Sequence, residues 1–180
     1  MPGALDLSMT DMHSIWLMPA AEDAALLSAI VEDLARAFGS EVFSPHLTLV
    51  EDRPVEVEAL TVRVRAIAAG IAPFAARIEG IKTGEPFFRA FYALFEAQGP
   101  ILALKQRAIG SIAASSLSAF MPHVSLAYGV TDTPQRRRLS WEMDQRLAGH
   151  RVRFDRIGVV RSAQTIPIAE WEVRASVPLV

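Results

Sequence analysis

The chain has 180 residues, no cysteine and a formal charge of −2 at pH 7. This length supports one compact domain rather than several, and the lack of cysteine excludes disulfides, thiolate nucleophiles and cysteine metal sites. A weakly negative chain has no overall attraction for polyanions, because binding a phosphate backbone requires a concentrated basic surface.

Apolar residues make up 51% of the chain, yet no uninterrupted apolar run approaches the roughly 18 to 20 residues that span a bilayer. The first residues lack both the basic start and the apolar core of a secretory signal. We therefore expect a cytoplasmic monomer with neither a membrane partner nor a stable nucleic-acid partner.

A strand and a helix are predicted first. Residues 13–18 are typical of a buried strand that Pro19 ends. Apolar residues then recur at helical spacing as far as Phe38, and Gly39 supplies the helix stop.

Residues 46–50 predict a short strand with alternating polar and apolar positions. Because strand side chains alternate between faces, His46 and Thr48 lie on one face, with Leu47 and Leu49 on the other.

The following segment fits two periods. Residues 61–65 alternate as in a strand, whereas the apolar stripe over residues 60–71 has helical spacing, and we favour a helix because the stripe extends further. Strand-like runs at 74–82 and 87–96 then flank a turn at 83–86, which predicts a hairpin.

The second half repeats this order. A Gly-Pro pair at residues 99–100 opens a helix that carries Lys105 on the same side as its apolar residues. Residues 123–128 predict a strand with His123 and Ser125 on one face.

A last helix and two strands complete this half. Thr133 is typical of an N-cap and Pro134 of a first helical position. The basic run at residues 136–138 is expected to face water, and strands are predicted at about 151–161 and 168–178.

Each half thus contains a helix, a His-x-hydroxyl strand, a helix and two strands, which we interpret as a degenerate duplication within one domain, residues 1–180. The pseudo-repeats cover residues of about 20–96 and 99–178, and PHLTL corresponds to PHVSL. The pattern predicts an α+β, bilobal fold with two antiparallel sheets, each backed by helices, around a central cleft.

The paired motifs fit the hydrolysis of a phosphodiester, which requires a base, an acid and donors for the phosphate oxygens. Imidazole titrates near pH 6.5, so one ring can be neutral while the other is charged. His46 and His123 are therefore the candidate catalytic residues, and Thr48 and Ser125 are the candidate phosphate-binding residues.

A metal site is the alternative role for two histidines. Neither motif has an acidic residue on its strand face, and the sequence has no HExxH motif. A serine nucleophile is disfavoured because no G-x-S-x-G elbow is present. We expect no metal and no cofactor.

The chain resembles the two-histidine phosphoesterases, and within them the cyclic phosphodiesterases of plants and yeast. The similar segments are SIWLMP at 14–19, PHLTL at 45–49, TGEPFFRAFYALFE at 83–96 and FMPHVSLAYG at 120–129. The resemblance implies hydrolysis of ADP-ribose 1″,2″-cyclic phosphate and of nucleoside 2′,3′-cyclic phosphates. Arg89 stands where those enzymes commonly have glutamine.

The resemblance also implies residue roles. His46 would be the general acid and His123 the general base. Tyr128 would help to hold the attacking water, and Trp16 and Phe88 would wall the substrate's ring.

Packing is the alternative role for the aromatic residues. Trp16 lies in an apolar strand, and Tyr128 is placed at a strand end. Phe87, Phe91 and Phe95 would form the opposite face of the strand that carries Phe88, and one of those faces must be core. Two other functions stay open: processing of 2′,3′-cyclic RNA ends, and binding of a cyclic nucleotide or RNA end without cleavage.

Overall fold

The structure, a computed structural model, describes residues 12–112 and 116–180. The segment expected to lack a secretory signal falls largely on residues 1–11, outside the described residues. The strands are β1 (His13–Pro19), β2 (Leu47–Arg53), β3 (Phe74–Thr83), β4 (Phe91–Phe95), β5 (His123–Ala127), β6 (Arg151–Arg161) and β7 (Glu172–Pro178). The helices are α1 (Ala21–Phe38), α2 (Val57–Ala68), α3 (Gly99–Ser111) and α4 (Pro134–Leu147).

The predicted order of helices and strands is confirmed in both halves, whereas a common origin of the halves stays a prediction. The ambiguous segment is helical, and its apolar stripe is buried. Gly39 ends α1 in the left-handed conformation with φ of 67°, which glycine adopts without a Cβ penalty. The Thr133 side chain caps α4 by accepting a hydrogen bond from the Arg136 N–H.

Two predicted strands begin later than expected. Phe87–Arg89 and Ile168–Glu170 form single 3₁₀ turns before β4 and β7. Each turn follows a proline, Pro86 or Pro167, whose fixed φ suits a turn and whose missing N–H cannot join a strand ladder. As a result Phe87 is 52% exposed and does not belong to the core.

The described strands form one sheet, so the prediction of two separate sheets was wrong, although the α+β class is confirmed. The strand order is β1-β2-β5-β4-β3-β6-β7, and β1 also pairs with β6, which closes a ring of six antiparallel strands. Closure is possible because β6 is long: its first residues pair with β3, and most of its length pairs with β1.

The alternation within the motif strands decides which side of each strand is core. Leu47, Leu49, Val124 and Leu126 are completely buried in the hydrophobic core. The motif histidines and hydroxyls therefore face away from that core.

Within residues 12–112 and 116–180, no helix combines the length and apolar character that a membrane span requires.

Candidate active site

The two motif strands are neighbours in the sheet. β2 and β5 are antiparallel and pair through Leu47 and Val124, the middle residues of the two motifs. In an antiparallel register, this pair places Thr48 nearest to His123 and the first motif histidine nearest to the second motif hydroxyl. The motifs are thus related by an approximate twofold axis between the strands.

One cavity of about 570 Å³ is lined by all seven residues that the sequence suggested for the site. They are Trp16, His46, Thr48, Phe88, His123, Ser125 and Tyr128. Cavities of roughly 300 to 1,000 Å³ accommodate small organic ligands. Their shared cavity makes joint action possible, and the individual roles stay predictions.

Both motif rings are held in the same way. The Nδ1 atom of His46 lies 2.7 Å from the Ser44 carbonyl oxygen, and that of His123 lies 2.8 Å from the Met121 carbonyl oxygen. Because a carbonyl only accepts, each Nδ1 must carry the hydrogen. A neutral ring therefore keeps its lone pair on Nε2, which makes Nε2 the atom that takes or gives a proton.

An aromatic residue on the adjacent strand supports each ring. The Trp16 indole stacks on His46 with 3.4 Å between ring centroids and 5° between planes. Tyr92 meets His123 edge-on at 5.3 Å. In the strand register, Trp16 lies opposite Thr48 and Tyr92 lies opposite Ser125, so the two aromatic residues occupy equivalent positions. They differ in contact, because Trp16 stacks on the face of its histidine ring whereas Tyr92 meets its ring edge-on.

Burial leaves the two rings neutral at pH 7. It lowers the pKa of His46 to about 4, an effect that the Ser44 carbonyl opposes and that positive charge on His123 increases. Burial also lowers the pKa of His123, which is opposed by the Met121 carbonyl and increased by the positive charge of Arg89. The effect of His123 on His46 indicates that the two rings lie within electrostatic reach of each other.

The hydroxyl groups differ in what they bind. The Ser125 hydroxyl donates to the Phe88 carbonyl oxygen at 2.7 Å, whereas the Thr48 hydroxyl makes no hydrogen bond among the described residues, and Thr48 lines the cavity. The Tyr128 ring stacks on Phe43 at 3.8 Å. Burial raises the pKa of Tyr128, so its phenol stays protonated and able to donate.

The expectation that the basic run 136–138 faces water was wrong for its first residue. Arg136 is 4% exposed, and its guanidinium donates to the Gly84 and Val130 carbonyl oxygens at 3.1 and 2.9 Å. The first turn of α4 lies against the segments that carry Phe88 and Tyr128, since the Gly84 carbonyl precedes Phe88 and the Val130 carbonyl follows Tyr128. Arg136 thereby ties together two loops of the cavity wall.

Replacing Arg136 with methionine should lower the free energy of unfolding by about 2 to 4 kcal/mol, because each buried carbonyl left without a donor costs about 1 to 3 kcal/mol. Arg137→Met is the matched control, since that arginine is exposed and its ion pair with Asp132 lies in solvent. Its effect should stay within about 0.5 kcal/mol. Urea unfolding measures both, and equal losses in the two variants would contradict a buried role for Arg136.

Sequence reasoning missed three residues of the site: Lys105 and Trp171 line the cavity, and Tyr92 supports His123. A lysine on an apolar helix stripe was a signal for Lys105. The even spacing from Phe88 was a signal for Tyr92, whereas no sequence pattern pointed to Trp171.

Among the described residues, no three His, Cys, Asp or Glu side chains group so as to hold a metal ion.

A strand pair that presents two His-x-hydroxyl motifs to one cavity is the arrangement of a two-histidine phosphoesterase. The chain belongs to the 2′-5′ RNA ligase superfamily, which its residues 39–165 match. The sequence-based assignment to the two-histidine phosphoesterases is thereby confirmed. A comparison with curated proteins finds no significant match.

Solved structures share this fold at low sequence identity. TT0787 of Thermus thermophilus matches with a TM-score of 0.64 and 19% identity, over 93% of this chain and 97% of that chain. Escherichia coli LigT, in a complex with 3′-AMP, matches with a TM-score of 0.55 and 13% identity, over 94% and 98%. Usb1 of Kluyveromyces marxianus matches with a TM-score of 0.50 and 11% identity, over 94% and 98%.

Proposed function

We propose that this protein hydrolyses a cyclic phosphodiester to a phosphomonoester, without a metal ion, by acid and base catalysis from its two motif histidines. The observation that supports this most is the matched pair of rings on one cavity. His46 and His123 each fix Nδ1–H on a backbone carbonyl, which leaves Nε2 of each ring for proton transfer.

In the proposed reaction, one Nε2 removes a proton from water as the water oxygen forms a bond to phosphorus. The bond from phosphorus to one ring oxygen breaks, and the other histidine protonates that oxygen as it leaves. The two rings then return to their starting states by proton exchange with solvent. Following the resemblance, His123 is the base and His46 the acid.

The low pKa of His46 has two opposite effects on its role as the acid. A ring whose pKa is about 4 is a strong proton donor once charged, but only a small fraction is charged at neutral pH. An anionic phosphate bound beside the ring would raise its pKa and increase that fraction.

The proposed substrates are nucleoside 2′,3′-cyclic phosphates, ADP-ribose 1″,2″-cyclic phosphate, or both. The cavity volume suits a ligand of this kind, and aromatic rings of Phe88, Tyr128 and Trp171 line it beside the motifs. The protein is proposed to act in the cytoplasm as a monomer on a small substrate, without a membrane or stable nucleic-acid partner.

A second candidate is the processing of RNA that ends in a 2′,3′-cyclic phosphate. The name of the superfamily and the likeness to LigT with 3′-AMP favour it. The net charge of −2 disfavours a long RNA substrate. The third candidate is a module that holds a cyclic nucleotide or RNA end without cleaving it.

Incubation in EDTA with three substrates distinguishes these candidates. The substrates are adenosine 2′,3′-cyclic phosphate, ADP-ribose 1″,2″-cyclic phosphate and an oligoribonucleotide with a 2′,3′-cyclic end. We expect a monophosphate product from at least one small substrate, detected by chromatography. Cleavage of the oligonucleotide alone would favour RNA-end processing, whereas binding without product would favour the module. Loss of activity in EDTA, restored by a divalent metal, would contradict the metal-free reaction.

A further inference from the structure

The four motif residues alone are poorly suited to attract an anion. Both rings are neutral at pH 7 and offer lone pairs at Nε2, and the Ser125 hydrogen is already donated to a backbone carbonyl. A cyclic phosphodiester carries a full negative charge. In the free protein, positive charge in the cavity therefore comes from other groups, and among the described lining residues the cations are Arg89 and Lys105.

Lys105 is the more buried of these two cations. It is 2% exposed, and its Nζ atom donates to the Leu49 carbonyl oxygen at 2.6 Å. Its Nζ also lies 5.1 Å from the centre of the Phe120 ring. An ammonium has three N–H donors, and the bond to Leu49 is the one hydrogen bond that the Nζ atom makes within the described residues.

The strand pairing explains why an ammonium lies at this point. The β2–β5 pairing is confined to Leu47 and Val124, and the same register continued outward would place Pro122 opposite Leu49. Proline has no N–H, so it cannot pair with that carbonyl. Lys105 reaches the open edge of β2 from α3, and the carbonyl that it binds directly follows Thr48 in the chain.

Burying an ammonium for the sake of one carbonyl is costly, because an incompletely paired charge loses most of its hydration. Burial lowers the pKa of Lys105, an effect that the negative charge of Glu51 opposes and the positive charge of Arg53 increases. Glu51 also lines the cavity, but no hydrogen bond joins its carboxylate to Lys105 within the described residues. An anionic ligand in the cavity would complete the pairing of the ammonium.

We propose that Lys105 is an anion-binding residue of this cavity, whose ammonium donates to a nonbridging phosphate oxygen beside the Thr48 hydroxyl. The inference rests on the proposed function for the identity of the phosphate as part of a substrate. Lys105 would act as a fixed cation, whereas the histidines act in proton transfer.

The competing explanation is that Lys105 only satisfies the Leu49 carbonyl. Lys105→Gln separates the two, since an amide can still donate to that carbonyl but carries no charge. Lys105→Arg keeps the charge. Lys82, the other lysine in the chain, is exposed on β3, so Lys82→Gln is the matched control.

Calorimetric titration with inorganic phosphate at pH 7.5 measures anion binding independently of turnover. Lys105→Gln should weaken phosphate binding roughly 10- to 100-fold, as expected for a lost charge-assisted hydrogen bond, and should raise KM for the cyclic substrate. Lys105→Arg should retain most of the affinity, and Lys82→Gln should bind as wild type does. A folded Lys105→Gln protein with wild-type phosphate affinity would overturn the proposal.

A second measurement needs no variant. Because the chain has two lysines, ¹³C-lysine labelling gives two side-chain signals, and phosphate should shift the Lys105 signal but not that of Lys82. An unchanged Lys105 signal at saturating phosphate would also overturn the proposal. If wild type cleaves no cyclic phosphate while Lys105 responds, the proposed function fails alone; if it cleaves without that response, the inference fails alone.

Discussion

Replacing His46 or His123 with alanine should lower kcat/KM for a cyclic phosphate by about 10² to 10⁴ or more, because each ring transfers a proton in the transition state. The double variant should lose little more than the worse single one, since residues that act as a unit are not additive. Steady-state hydrolysis of adenosine 2′,3′-cyclic phosphate measures the effect.

Two further variants serve as controls, one for the loss of any histidine and one for the change in packing around His46. His150→Gln replaces a histidine that is not among the residues lining the cavity and that contacts Asp23, and it should hydrolyse as wild type does. His46→Gln leaves a planar group under Trp16, which limits the packing change made by alanine. Near-normal hydrolysis by both alanine variants, with native circular dichroism, would refute the two-histidine mechanism.

The pH profile of kcat/KM should be bell-shaped with both limbs below pH 6.5. The profile of kcat/KM reports the pKa values of the catalytic groups in the free protein. There, burial lowers the pKa of His46 to about 4 and that of His123 below its ordinary value of 6.5. The reactive form carries one proton on the pair of rings, so kcat/KM should fall about tenfold per pH unit above the upper apparent pKa, where the pair loses that proton. The kcat profile should lie at higher pH, because a bound phosphate stabilises charged imidazole.

Arg89 provides a directional test of this profile. Its positive charge lowers the pKa of His123, so Arg89→Gln should raise that pKa and move the alkaline limb of kcat/KM to higher pH. Arg89→Lys retains the charge and should leave the limb near its wild-type position. A monotonic wild-type profile, or a shift to lower pH in Arg89→Gln, would contradict the assignment.

Much of the secondary structure was predictable because it follows from local patterns. Nearby residues set the helical spacing of the apolar stripe over residues 60–71. In the same way, Thr133 marks the start of α4 through a bond to a residue three positions away. The strand starts near Phe87 and Ile168 were wrong, since apolar content masked the turn that a preceding proline favours. The two-sheet prediction was wrong because sheet closure depends on pairing between β1 and β6, more than a hundred residues apart.

The motif residues of the site were predictable from the sequence, whereas the contacts around them were not. Thr48 and Ser125 were identified from alternation, yet the bond that ties Ser125 to Phe88 joins positions 37 residues apart. Arg136 was expected in water because its neighbours are charged, yet one carbonyl that it binds, that of Gly84, comes from a turn 52 residues away in the chain. Trp16 was expected to wall the substrate or fill the core, and it stacks on His46.

Each motif presents its histidine and hydroxyl on one strand face because alternation is a property of the local backbone, so the amino-acid pattern alone was enough to establish it. Three other features come from the packing of the folded chain: β2 and β5 are neighbours, burial leaves His46 neutral at pH 7, and Lys105 reaches the open edge of β2. These features depend on the environment that distant segments create, and solvation and charge act through space rather than along the chain.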